Sequence, residues 1–551
     1  MNRQTITLPF DVPLLPARTL ASNGLSCLYE HGRLRYIKYG EVEVVRMIYF
    51  AVRDENWHTA PYTIHHEVVE EKENGFTISY TSIHRLPGIE YKTLVSIIAE
   101  GNVIYLKVNG EALSSFKRNR IGICVHHPIK EYSGKELTIK RKDGTTYIER
   151  FPELISPHQP FKDIQEMECL VNDALLTRLI FEGDVFETED QRNWADSSYK
   201  TYSTPLSIPF PVQVNEGNKM EQKVRLSIAG KELLKGEKDT IKEEDKIAFP
   251  QIGYSRKNGE RLGKEEIYLL KQLPFDKYRT ELFLINDNWQ QEFEAADWEA
   301  TELQVKLELI LFFTDDFKNQ VPLFLEFLKK TSSIIDSILV LQTGEPTTPN
   351  NLLELAYTQT KKQNASIKVG YGTDGFFADL NRNRPRDVPF DFISFSLNPQ
   401  VHSFDTRSLI ENLECLSDLV QTAHLFAAKK EVHISPITLK IRTAQIATAN
   451  EYPADYDARQ HTSFAAIWTL SALNNLSHAD SLGFFQTTGY RGIVDGTKSI
   501  GSQSPLFHIL KRIKDFQPVF IIHTDSFSSL PDSITIENAE GDRIVFEVFG
   551  S

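Results

Sequence analysis

Between about Arg35 and Pro128, apolar and polar positions alternate with the two-residue period of half-buried strands, as in FTISYTSI and NVIYLKV. Asn74-Gly75 and Asn109-Gly110 punctuate the alternation as hairpin-type turns. This is the pattern of a β-sandwich. The polar-turned block KELTIKRKDGTTYIERFPEL and the more apolar VNDALLTRLIFEGDVFETEDQRNW carry the first domain on to roughly residue 235. There GKELLKGEKDTIKEEDK, rich in lysine and glutamate, reads as a solvated strand pair or linker. After Ile247 short apolar runs alternate with longer helical patterns: IAFPQIGY, YRTELFL, VKLELILFF, IDSILVLQ, SIKVGYG, DFISFSL, VHISPITLK and SLGFFQT. Eight strands with crossover helices predict a (β/α)8 TIM-like barrel of the α/β class. Between the sixth and seventh runs, Leu409, Leu413, Leu416 and Val420 form one helical stripe behind Asp405, a plausible N-cap. The last stretches, VFIIHTDSF and SITIENAEGDRIVFEVFG, return to strand alternation, as a small β-module or as strands added to the first sandwich. The expected division is an N-terminal β-sandwich over 1–240, a barrel over 241–510 and a short C-terminal β-domain over 511–551.

Composition narrows the partners. The 551 residues are 41% hydrophobic and 25% charged, ordinary for globular domains, and the net charge of −14 repels phosphate backbones and anionic headgroups. No local basic patch reverses that field, so neither nucleic acid nor membrane is an expected partner. The prolines of MNRQTITLPFDVPLLPARTL interrupt the apolar core an export signal needs, and no run approaches the ~18 apolar residues of a membrane span. Cys27, Cys124, Cys169 and Cys415 lie far apart with no CxxC, which fits a reducing cytoplasm better than a disulfide framework or a cysteine zinc site.

Several motifs fail on their context. GTKSIGSQS has its glycines at the wrong offsets for a nucleophile elbow. Gly370-Tyr371-Gly372-Thr373-Asp374-Gly375 matches GxGxxG, yet a dinucleotide fingerprint must open a helix, and FFADLNRNRP is not expected to form one. HExxH and HxHxDH are absent. On strands, the pairs His65-His66 and His126-His127 would point to opposite faces, one ring packed and one solvated. No cofactor and no metal are expected.

The segment FETEDQRNWADSSYKTYSTPL is different, because it places Glu187, Glu189, Asp190, Arg192, Asn193, Trp194, Lys200 and Tyr202 within sixteen residues. Sugars are bound by such mixtures: amides and carboxylates bond hydroxyls, guanidinium groups polarise carbonyls, and an aromatic face covers C–H surface. A salt-bridge ladder on a long loop is the plainer explanation. Together with VRDENWHT, TDGFFADLNRNRP, NPQVHSFD and SPITLKIR, this segment resembles the D-apionate lactonase family, bacterial enzymes of apiose breakdown that hydrolyse D-apionolactone. The resemblance spans most of the chain and implies an amino-terminal β-domain, a TIM-barrel-like middle and a short carboxy-terminal β-domain.

Three further clusters stand at strand ends. Glu345, beside Pro346 after the fourth strand, occupies a place analogous to the acid/base position of many sugar-processing barrels, or is simply a turn residue. Asp374 after the fifth is followed by Asn381, Arg382, Asn383 and Arg384. Asn398, Gln400, His402 and Asp405 follow the sixth, with Asp405 better explained as a helix cap. Lactone opening needs an activated water, donors for the oxyanion and an acid for the departing ring oxygen. Candidates are Asp374 or Glu189 for the water, Arg192 or Lys200 for the oxyanion, and His402 or Glu345 for the leaving alkoxide. Asp190, Asn193, Trp194, Tyr202, Asn381, Arg382, Asn398 and Gln400 are candidates to hold a small sugar lactone. The alternative is a glycoside hydrolase, which needs two carboxylates facing one pocket; a non-catalytic carbohydrate-binding protein would need aromatic platforms and no titratable pair.

Overall fold

The alternating first part of the chain folds into two antiparallel nine-stranded sheets that pack face to face. Leu34, Ile48 and Ile123 of one meet Phe76, Ile97 and Leu226 of the other in a single core. The computed structural model describes residues 3–10, 12–171, 174–230, 245–442, 457–523, 530–531 and 533–549, so the lysine-rich linker lies almost wholly outside the described residues. One sheet contains, as neighbours, Phe186–Asp190, Ser198–Tyr202, Phe116–Pro128 and Val42–Asp54. Since side chains alternate across a strand, the core takes Phe186, Tyr199, Ile123 and Val125. The opposite face is left with Glu187, Glu189, Lys200, Tyr202, Cys124 and His126, joined by Tyr49 and Arg53. Registers set Glu189 opposite Lys200 and Lys200 opposite His126.

Each of the eight apolar runs contributes a parallel strand: Gln251–Ser255, Lys277–Phe283, Lys306–Phe313, Ile335–Gln342, Lys368–Gly372, Phe392–Leu397, Glu431–Ile437 and Ser481–Thr488. Pairing of the first with the last closes the barrel. The two strand glycines of the GxGxxG match have a packing reason. A Cβ on Gly370 would fall 2.3 Å from the Phe392 ring, and one on Gly372 would fall 2.1 Å from the Ser394 carbonyl oxygen. A short helix, Phe377–Arg382, does follow, contrary to expectation.

A third sheet of five strands gathers both ends of the chain. Arg3–Pro9 runs parallel to Arg543–Phe549, followed by Ser533–Asn538, Pro518–His523 and Asp245–Ala248. The strand Arg3–Pro9 therefore lies in this sheet and outside the sandwich, and Leu8, Ile536 and Phe546 pack into the barrel's core. Among the described residues no helix is long and apolar enough to cross a membrane.

Candidate active site

The polar face of the sandwich sheet turns toward the loops that leave the barrel's carboxyl end. After Asp190 the chain makes one 3-10 turn, Gln191–Trp194, capped by the Asp190 carboxylate on the Arg192 amide. Ala195 then takes a left-handed conformation, φ 59°, and reverses the chain. Trp194 thereby packs with Phe376, Val401 and Ile441, which stand on the loops after the fifth, sixth and seventh barrel strands; its ring centroid lies 5.5 Å from that of Phe376.

At this junction His402, carried by the sixth loop, bonds through Nδ1 to the Asp196 carboxylate of the sandwich. Asn412 donates to the other Asp196 oxygen at 3.0 Å. Beside the pair, Glu189 accepts from Trp194 Nε1 at 3.0 Å and Gln191 Nε2 at 2.8 Å, and Lys200 Nζ lies 3.0 Å from Gln191 Oε1 and 3.8 Å from Glu189. Arg53 is 8% exposed and has no carboxylate partner among the described residues. Burial, then the charges of Lys200 and Arg53, hold the His402 imidazole well below its usual value. Burial also pushes the Asp196 carboxyl up to about 7 against the pull of Lys200. It lowers Lys200, with Glu189 opposing, and lowers His126 strongly. Glu189 is pushed up by burial, but Lys200, the Trp194 hydrogen bond and Arg382 act together against it and its net shift is downward. The ring of His402 is thus neutral at neutral pH, in a site that disfavours added positive charge.

His402 also lines a cleft of about 980 Å³ walled by strands of both sandwich sheets and by the sixth barrel loop, with Tyr29, His31, Arg33, Tyr49 and Tyr62 among its walls. Its Nδ1 is occupied, its Nε2 has no partner among the described residues, and its side chain is 11% exposed. The loop is pinned from the sandwich side. Arg35, fully buried, bonds Asp405 at 3.0 Å and Glu411 at 2.7 Å and forms an ion pair with Glu30 at 3.0 Å, while Arg33 reaches Asp405 at 3.2 Å. Asp405 caps its helix as the sequence suggested, accepting from the Ser408 amide at 3.0 Å.

The other sequence candidates are scattered among different surroundings. Arg192 is fully buried with every N–H taken, by Asp190, Asp418, Tyr199 and the carbonyls of Pro152 and Glu153, so it has none left for an oxyanion. Asp190, Asn193 and Asn381 are likewise engaged with neighbours: Asp190 is committed to Arg192 and the Ser156 amide, and Asn381 donates to Asn193 at 2.9 Å while accepting from Arg384. Asn398 and Gln400 are buried too, donating to the Leu439 carbonyl at 3.0 Å and 2.6 Å. Glu345 is exposed and stands apart. Tyr202 donates to Glu187 at 2.6 Å, and Arg382 lies over the Trp194 ring at 5.4 Å, both beside the cluster. Asp374 belongs to a second group on the barrel axis. One of its oxygens accepts from Arg279 at 2.9 Å and from Arg442 at 2.8 Å, and Glu281 accepts from the same two arginines. Burial pushes Glu281 up, but Arg442 and Arg279 outweigh it and hold its carboxyl at about 2. The cavity beside this quartet is only about 100 Å³. The histidine pairs also depart from expectation. His126 and His127 are both buried, because the barrel covers the face His126 points to, whereas His65 and His66 are both exposed. Among the described residues no three His, Cys, Asp or Glu side chains stand close enough to share a metal ion.

Residues 8–231 match the model of the D-apionate lactonase N-terminal domain, and residues 254–518 that of the D-apionate lactonase TIM barrel domain. The chain belongs to the D-apionate lactonase family. Within it, the chain is similar to the D-apionate lactonase of Brucella anthropi, at 28% identity over 527 residues, 89% of this chain and 86% of that one. Among solved structures it is similar to a GH30 endoxylanase from Clostridium papyrosolvens, with TM-score 0.36, 11% identity and 53% and 79% of the two chains covered. It is also similar to the GH36 alpha-galactosidase AgaB from Geobacillus stearothermophilus, with TM-score 0.28, 10% identity and 95% and 89% covered. Both likenesses are too faint to bear on the chemistry. In this member of the D-apionate lactonase family, sequence reasoning passed over Asp196, Arg53, Glu281, Arg279 and Arg442. Asp196 lay in full view inside the EDQRNWADSSYK run; only its neighbour across the domain junction marks it out.

Proposed function

We propose that the chain is a lactonase that opens a sugar-derived lactone such as D-apionolactone to its aldonic acid, and that the reaction runs at His402. The observation that carries this is the histidine itself: Nδ1 tied to Asp196, Nε2 without a partner among the described residues, and the side chain lining the large cleft. With Asp196 ionised, the proton sits on Nδ1 and Nε2 keeps a lone pair for water. Water gives one of its own protons to Nε2 as its oxygen bonds the lactone carbonyl carbon, while Nδ1 keeps its proton, hydrogen-bonded to Asp196. Lys200 and Arg53 supply positive charge for the oxyanion. Collapse of the tetrahedral intermediate breaks the bond to the ring oxygen, which takes the proton back from Nε2 and leaves as the hydroxyl of the acid. Trp194, held by Glu189, and Tyr49 offer apolar faces beside this point.

Metal-free direct attack by water accounts for every proton without a nucleophilic side chain. A glycosidase at the barrel axis is less well supported, since Glu281, held at about 2 by two arginines, is no proton donor at neutral pH. Purified protein incubated with aldonolactones and, separately, with aryl glycosides tests the reading. Acid release from the lactones without chromophore release supports it, and the reverse result refutes it.

A further inference from the structure

The cleft is far larger than the reaction needs. Small-molecule sites span about 300–1,000 Å³, and this one, about 980 Å³, lies at the upper end although a five-carbon lactone is a single small ring. It is also long. The strand Tyr62–Lys72 contributes Tyr62, Ile64, Glu67 and Val69 to its wall, a run of roughly 20 Å at ~3.3 Å per residue. Its lining is aromatic with polar edges, the mixture that takes sugar rings. His31 and Tyr62 stack at 5.1 Å with their planes 19° apart, and the Tyr62 hydroxyl donates to the His31 carbonyl at 2.7 Å, which fixes the pair as a flat platform. Arg33 and Glu67 stand nearby with N–H donors and carboxylate oxygens for hydroxyls. His402, Ser403, Phe404 and Asp405 line the same trough.

We infer that the trough is a subsite for a second sugar ring, so that the substrate class includes lactones of aldobionic acids, in which a glycosyl unit is attached to the lactone-bearing residue. This rests on the reading of His402 as the reacting group. The lactone ring sits at His402 and the glycosyl ring lies on the His31–Tyr62 platform, its C–H face against the aromatic plane.

The test compares a one-ring aldonolactone with cellobionolactone, using wild type, Tyr62→Ala, His31→Ala and Tyr62→Phe, and adds saturation-transfer NMR of cellobionate. Wild type should hydrolyse both lactones. Tyr62→Ala and His31→Ala should lower kcat/KM for the two-ring lactone by about tenfold and leave the one-ring lactone unchanged, and Tyr62→Phe, which keeps the ring but loses the bond to the His31 carbonyl, should lose less on the two-ring lactone than Tyr62→Ala. Wild type that opens the one-ring lactone but neither opens the two-ring lactone nor binds cellobionate overturns the subsite alone. Equal loss on both lactones in Tyr62→Ala overturns it too. If no lactone is opened at all, the lactonase reading fails, and the NMR decides the subsite by itself: saturation of the glycosyl protons in wild type, lost in Tyr62→Ala, sustains it, and an unchanged spectrum rejects it.

Discussion

An asparagine at position 196 keeps the shape of the His402 partner and reverses its hydrogen bond. The amide would donate to Nδ1, move the ring proton to Nε2 and remove the lone pair that water needs. Asp196→Asn should therefore lower kcat by at least ~10² with the circular dichroism spectrum unchanged; turnover near wild type would remove His402 from the mechanism. Asp374→Asn is the counter-experiment. Asparagine retains an oxygen for Arg279 and Arg442, so turnover should stay within a few-fold while Tm falls, and a large loss of kcat would move the base to the barrel axis. Protonation should mimic the first variant. Asp196, raised to about 7, is a carboxylate only above that value, so kcat/KM should fall as pH drops through about 7. A profile flat down to pH 5 contradicts this. Residue types near the site were legible in the sequence, but roles were not: Arg192 and Lys200 look equally suited to an oxyanion until burial and partners are counted.

At the scale of elements, the turn Glu30–Arg35 and the helix Thr406–Glu411 are joined by one buried guanidinium among three carboxylates. Arg35→Met would take the shared cation from Glu411 and leave Asp405 with Arg33 and Glu30 with Arg407 alone, a change that typically costs about 3–5 kcal/mol when a buried ionic partner is removed. In the wild type burial raises Asp405, but Arg35 and Arg33 outweigh it and its carboxyl stays low. In the variant the folded state binds protons that the unfolded state releases, so its deficit in Tm should shrink from pH 8 to pH 5. A deficit independent of pH would mean that the clamp acts by packing alone. The eight barrel strands were legible because parallel strands buried on both faces read as continuous apolar runs. The first run misled at its start: Ile247 and Ala248 pair with Phe520 and Ile521 in the third sheet, a partnership set by residues far along the chain.

For the whole molecule, the site exists only where two domains meet, since Arg53, Asp196 and Lys200 come from the sandwich and His402 from the barrel. The junction is built of buried ion pairs and of Trp194 among barrel side chains, so sandwich and barrel should unfold in one calorimetric transition. Two resolved transitions would show that the junction is weaker than its contacts imply.

Periodicity by itself determined the sandwich, the barrel and the return to strands at the end, because the two-residue and helical repeats are local consequences of which side of an element is buried. The segment FETEDQRNWADSSYK was also marked by its own composition. Tertiary structure alone decided which of its polar side chains stay available. Arg192, Asp190 and Asn193 spend their hydrogen bonds on neighbours contributed from Pro152 to Asp418, whereas His402 meets Asp196 across 206 positions of sequence and its other nitrogen has no partner among the described residues. Burial and hydrogen-bond saturation are properties of the completed packing, and no window of sequence contains both partners.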